Sequence, residues 1–218
     1  MAINHELLDY ITVTNPQKFR QGIDASNKGT DQYDTLHSID VIIGDSYAQI
    51  EPVARRGKYF DIGKFHISVA DEDIPKAWDS ITKLLADEGL STKVMTLGGR
   101  ALVRGVQTDA AGKNIVIYFD HGESQDKEKF ERVLTQIERT FEENDIRPGP
   151  EVSTDKPIPG SRFSYMRYGD TEYDRSTGKA LPDTEPAMKT PLDDITIAPG
   201  QWADRVSSTD TPGGGVKR

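Results

Sequence analysis

Six residues, Lys64-Phe65-His66-Ile67-Ser68-Val69, constrain the fold of this chain more than any other stretch. Apolar Phe65, Ile67 and Val69 alternate with polar Lys64, His66 and Ser68. A period of two is that of a strand, whose successive side chains point to opposite faces. One face of this strand is therefore apolar and the other polar, and Lys64 and His66 project the same way, one pleat apart. By itself the pattern reads most simply as a half-exposed strand with ordinary polar residues. It is also what chemistry on an anionic substrate needs: a cation and a proton-transfer group side by side on a rigid element.

Leu7 to Phe19 read as a short amphipathic opening segment, and Gln21 to Asp34, rich in Asn, Asp, Gly and Ser, as loop. Ile39–Ile43 and Ala48–Val53 are apolar enough for strands. Ala54-Arg55-Arg56-Gly57-Lys58 follows as a basic turn, either solvated or close to an anion. Ile74, Trp78, Ile81, Leu84 and Leu85 recur at helical spacing and predict a helix over 73–87. Pro75 suits its first turn and Gly89 its end. Asp71-Glu72-Asp73 are expected to begin and cap it, where negative charge is favourable. Lys93 to Leu97 has strand character, Gly98-Gly99 reads as a turn, and Ala101 to Val106 as a continuing ribbon. Ile115–Phe119 is a strand with the Tyr118 phenol on one side. Phe130, Val133, Leu134, Ile137 and Phe141 predict a second helix over 126–143, its Glu and Lys residues forming a solvated face. Phe163 to Tyr168 is a further strand.

This order predicts an α+β domain over residues 1–170, a mixed or antiparallel sheet packed by helices. At 218 residues the chain supports one sizeable core; the apolar fraction of 35% is low, and the shortfall lies mostly after Gly169. Residues 171–210 carry few anchors (Leu181, Met188, Leu192, Ile195, Ile197 and Trp202) and are expected to wrap the domain as extended chain. Residues 211–218 are expected to be disordered.

A net charge of -9 argues against a general nucleic-acid binder, though not against a local phosphate pocket. The absence of cysteine excludes disulfides, thiolate catalysis and cysteine metal sites. No apolar run reaches membrane-spanning length and the N-terminus has no ordinary signal peptide, so a cytoplasmic protein is expected. Leu97-Gly98-Gly99-Arg100 lacks the spacing of a phosphate loop, and no dinucleotide fingerprint or nucleophile elbow is present. The four histidines, His5, His37, His66 and His121, are never paired at i,i+4, which argues against a zinc hydrolase.

The run Gly63 to Val69, the Trp78 helix and Lys93 resemble the phosphothreonine lyase family of bacterial effector proteins. The resemblance extends to the lyase domains of class III and IV lanthipeptide synthetases and to stand-alone lyases of related peptide-modifying pathways. It runs from about Phe60 to Tyr173. Gly160-Ser161-Arg162-Phe163-Ser164-Tyr165-Met166-Arg167-Tyr168-Gly169 is similar to the Gly-Ser-Arg…Tyr-Arg-Tyr-Gly stretch of the lanthipeptide-type domains, with Met166 standing between Tyr165 and Arg167.

The resemblance implies β-elimination of phosphate from phosphoserine or phosphothreonine, leaving an alkene, with no cofactor. Lys93 matches the general base that takes the Cα proton. Lys64 matches the lysine that polarises the amide carbonyl, and His66 the general acid, an imidazolium favoured by substrate phosphate. Tyr118 and Arg167 match phosphate-binding residues. Arg175 lies near a second arginine position, in a looser match. A further arginine is Arg104 or Arg100; Arg104 is preferred because a charge within an apolar ribbon needs a reason. The implied substrate is a phosphorylated precursor peptide, with a separate Ser/Thr kinase and other peptide-modifying enzymes as partners. The alternatives are a secreted effector acting on a phosphorylated host kinase and a non-catalytic phosphopeptide-binding module. A binding module would not need the Lys64/His66/Lys93 set.

Overall fold

Alternation of apolar and polar residues recurs in strand after strand, and the result is one antiparallel sheet with helices on a single face. The structure, a computed structural model, describes residues 5–24, 34–36, 39–55, 63–103, 111–120, 122–168 and 190–197. Its strands are β1 (Asp34–Leu36), β2 (Ile39–Ile43), β3 (Tyr47–Pro52), β4 (Gly63–Ile67), β5 (Thr92–Met95), β6 (Ile115–Phe119), β7 (Lys156–Pro157) and β8 (Ser164–Tyr168). Among the described residues they form an eight-stranded sheet in the order β1-β2-β3-β5-β6-β4-β8-β7. Every neighbouring pair is antiparallel, which settles the sheet as antiparallel within an α+β fold.

Among the described residues five α-helices accompany it: α1 (Tyr10–Val13), α2 (Pro16–Asp24), α3 (Ile74–Asp87), α4 (Leu97–Val103) and α5 (Lys127–Glu143). The stripes predicted for α3 and α5 face the core: Ile74, Trp78, Ile81 and Leu85 are buried and Leu84 half-buried on the first, and Phe130, Val133, Leu134, Ile137 and Phe141 are buried on the second. They share one core with Phe65 and Ile67 of β4, Ile115, Ile117 and Phe119 of β6, and Val94 of β5. Phe130 packs its ring centroid 5.1 Å from that of Phe65 and 5.8 Å from that of Phe119. Phe130→Ala leaves a hole at the junction of helix and sheet. It should cost about 3–5 kcal/mol, read as a lower urea midpoint at unchanged slope. Trp78 joins the opening segment to the core by donating its indole N–H to Leu8 O at 2.8 Å.

Several local expectations are corrected. The segment read as a Gly98-Gly99 turn and ribbon is α4. Thr96 begins it, its Oγ1 accepting from Gly99 N at 3.1 Å. A Cβ would stand 2.5 Å from Asp45 O at Gly98 and 2.2 Å from Ser46 O at Gly99. The glycine pair therefore lets the helix press against the β2–β3 hairpin. The loop read from Gln21 begins later, because α2 runs to Asp24. Asp73 precedes α3 but makes no capping bond; it accepts instead from Arg147 N and Nε at 2.9 and 2.8 Å. Not all of the α5 acids are solvated. Glu138 is 2% exposed and accepts from Ser161 Oγ and Arg162 N at 2.9 and 3.1 Å. Ser161 Oγ accepts in turn from Phe163 N and Ser164 N. Ser161 and Arg162, from the stretch that carried the resemblance, thus anchor the entry to β8 on α5.

Of the segment after Thr171, residues 190–197 are described. Leu192, Ile195 and Ile197 are buried in the main core, and Ile197 N donates to Pro159 O at 3.0 Å. Leu181, Met188, Trp202 and residues 211–218 lie outside the described residues. No described helix is long and apolar enough to cross a membrane.

Candidate active site

Antiparallel register gathers distant residues into rows on the sheet face opposite the helices. On β4, Lys64 pairs with Tyr118 of β6 on one side and Arg167 of β8 on the other. In the next row on the same face, His66 pairs with Val116 and with Tyr165. Val116 pairs with Lys93 of β5, and Lys93 with Gln49 of β3. The intervening residues Phe65, Ile117 and Met166 belong to the core, so parity sends these polar side chains the other way. Lys64 is 9%, His66 4%, Tyr118 4% and Arg167 8% exposed. Five of the expected residues, drawn from four strands, thus occupy two adjacent rows.

Arg104 and Arg175 lie outside the described residues. Of the ribbon expected over Ala101 to Val106, residues 101–103 are helical and the rest lie outside the described residues. Arg100 is on α4, with its guanidinium close to the Tyr10 phenol. Arg55, from the basic turn, is buried, directs Nη1 to Tyr118 O at 3.5 Å and is ion-paired with Glu123.

Contacts within the rows are specific. The Lys93 ammonium lies 4.5 Å from the Tyr47 ring centroid and 5.4 Å from that of Tyr118, within reach of cation–π attraction. Arg167 Nη1 donates to Thr154 O at 2.9 Å. The neighbouring Asp155 carboxylate hydrogen-bonds His66 Nδ1, accepts from Thr154 Oγ1 at 2.7 Å, and lies 3.9 Å from Lys113 Nζ. One short turn thereby supports both the imidazole and the arginine. Sequence reading missed Asp155 and Lys113. Asp155 is 89 residues from His66 in a polar loop, and no local pattern connects them.

Burial dominates the His66 imidazole and lowers its pKa from 6.5 to about 4, against the pull of Asp155 and with the help of Lys113 and Lys64. Burial would raise the Asp155 carboxyl, but His66, Thr154 and Lys113 together outweigh it and hold it low. Near neutral pH the pair is therefore a neutral imidazole donating Nδ1–H to a carboxylate, with Nε2 left as an acceptor. This differs from an imidazolium present at rest. It also couples stability to pH. Between 6.5 and about 4 the unfolded His66 binds a proton that the folded one refuses, so its contribution is complete above that window and lost as pH falls through it. The loss amounts to about 3 kcal/mol. Urea unfolding at pH 7 and 4.5 should show this decline, and His66→Asn should flatten it. An equally steep decline in the variant would place the acid sensitivity elsewhere.

Residues 61–196 match the family model described as RamC, N-terminal domain. The match covers more than half of the 218 residues, and the chain belongs to that family. No curated protein matches the chain. Among solved structures, the phosphothreonine lyase SpvC, an effector from Salmonella, superposes with a TM-score of 0.54 at 18% identity, over 77% of this chain and 81% of that one. The type III effector and phosphothreonine lyase OspF from Shigella flexneri gives 0.52 at 18%, over 75% and 89%. The VirA effector of Chromobacterium violaceum gives 0.52 at 18%, over 63% and 68%. At these identities the likeness is one of fold.

Proposed function

We propose that the chain is a phosphoserine/phosphothreonine lyase, residues 1–170 forming the lyase domain, that eliminates phosphate from a phosphorylated precursor peptide to leave dehydroalanine or dehydrobutyrine. The observation that carries this is the union of Lys64, His66, Lys93, Tyr118 and Arg167 on one sheet face. The fold shared with phosphothreonine lyases supports it.

The rows divide the work. Arg167 and Tyr118 flank Lys64 and hold the phosphate through charge-assisted and phenolic hydrogen bonds. Strands are about 4.8 Å apart, so His66 and Lys93, with Val116 between them, stand roughly 10 Å apart at the backbone. The phosphorylated residue fits across that gap, over Val116. Lys93, deprotonated, takes the Cα proton. Lys64 neutralises the charge that develops on the adjacent amide oxygen. The Cβ–O bond breaks as His66 gives a proton to the bridging oxygen. His66 is neutral at rest, so the bound phosphate must supply the negative charge that draws a proton to Nε2, with Asp155 stabilising the imidazolium. The acid is thus armed by its own substrate.

Incubation with a phosphothreonine peptide should release phosphate and give a product one water lighter than the unphosphorylated peptide, unaffected by chelator. A product with its hydroxyl restored would mean hydrolysis. The effector identities of the neighbours favour a second reading, the same elimination on a phosphorylated host kinase. A kinase gene and a small Ser/Thr/Cys-rich peptide gene beside this one would separate the two.

A further inference from the structure

Gln49 lies on β3 directly opposite Lys93, on the side away from His66. The row continues through it to Ile42 of β2, and both side chains are half-buried on the polar face. Among the described residues, the Gln49 amide nitrogen, Nε2, is buried without a hydrogen-bond partner. Buried amide donors are almost always paired, because leaving one unmade forfeits its hydration without return. An unpaired donor beside the base lysine calls for a ligand acceptor.

The row indicates which acceptor. A base that removes a Cα proton must lie against the main chain of the reacting residue, while the phosphate extends toward Lys64, His66 and Arg167. The rest of the peptide must then leave over β5 and β3. Gln49 stands about 5 Å beyond Lys93, one strand spacing. An extended peptide advances about 3.3–3.6 Å per residue, which brings a carbonyl of the flanking residue over the Gln49 amide. We propose that Gln49 binds a main-chain carbonyl of the substrate residue flanking the phosphorylated one, with Ile42 meeting the apolar part of the chain beyond. The inference rests on the lyase reading of this face. It makes the substrate a peptide rather than a free phosphoamino acid, recognised there through backbone and so with little demand on flanking sequence.

The test compares a phosphothreonine pentapeptide with phosphothreonine amide, which keeps the reacting carbonyl but has no flanking residue. Gln49→Met preserves volume and removes the donor. Its kcat/KM should fall about tenfold more on the pentapeptide than on the amide, a hydrogen bond's worth of binding. Gln49→Asn, which withdraws the amide by one methylene, should fall between. Equal losses on both substrates would reduce Gln49 to a structural residue, and no loss on either would also overturn the proposal. If the unmodified protein eliminates neither, the lyase reading fails separately. Calorimetric affinity for the same pentapeptide then decides: about tenfold weaker binding by Gln49→Met upholds the contact, and unchanged binding removes it.

Discussion

Lys93→Ala should lower elimination by about a thousandfold, within the range for loss of a general base, while leaving phosphopeptide affinity within about threefold. The separation follows from the rows. Lys93 is two strands from His66 and one row away from Lys64 and Arg167, so it contributes to proton transfer and little to holding phosphate. Arg167→Ala should do the reverse in binding, weakening affinity about 10- to 100-fold by removing a charge-assisted hydrogen bond. Calorimetric titration of both variants against one phosphopeptide separates the roles. Equal loss of affinity in the two would make Lys93 a phosphate ligand and move the base elsewhere.

The second large effect lies in the His66–Asp155 pair. Asp155→Asn keeps an acceptor for Nδ1–H but removes the charge that favours the imidazolium. Turnover should fall about a hundredfold, the lower end for general acid–base catalysis. The rate profile should be bell-shaped, since base and acid must be in opposite protonation states. Losing the carboxylate should move the limb that reports His66 to lower pH, because the proton on His66 is then held less tightly. A bell-shaped profile does not name its groups, so the limbs are assigned from variants rather than from the parent. A substrate whose leaving group needs no protonation should partly rescue His66→Asn and Asp155→Asn, but not Lys93→Ala. Rescue of all three alike would contradict the division of labour.

The shared face of the candidate site was legible because its residues lie on regular strands. The alternation at Lys64–Val69 shows which face is polar, and a lysine or arginine at the same parity on a neighbouring strand must join it. What local pattern does not contain is strand order. Nothing in the spacing of Lys64, His66 and Lys93 reveals that β6 stands between their strands, or that Val116 separates His66 from Lys93. Loop residues escape for a related reason. Asp155 and Lys113 act through a tertiary approach that no periodicity encodes, and Gln49 resembles any polar residue on a half-buried strand until its row is known. The misreading of residues 97–103 is local: glycines that commonly mark a turn here serve close packing of a helix against the Asp45–Ser46 backbone.

The proposed reaction on this sheet face removes a proton from Cα and expels phosphate from Cβ. A phosphothreonine peptide deuterated at Cα tests that step directly by mass spectrometry of the product. Elimination requires that the product lose the deuterium together with the phosphate, and that turnover be slower than with the protiated peptide if proton removal limits the rate. A dephosphorylated peptide that retains its deuterium would contradict the account.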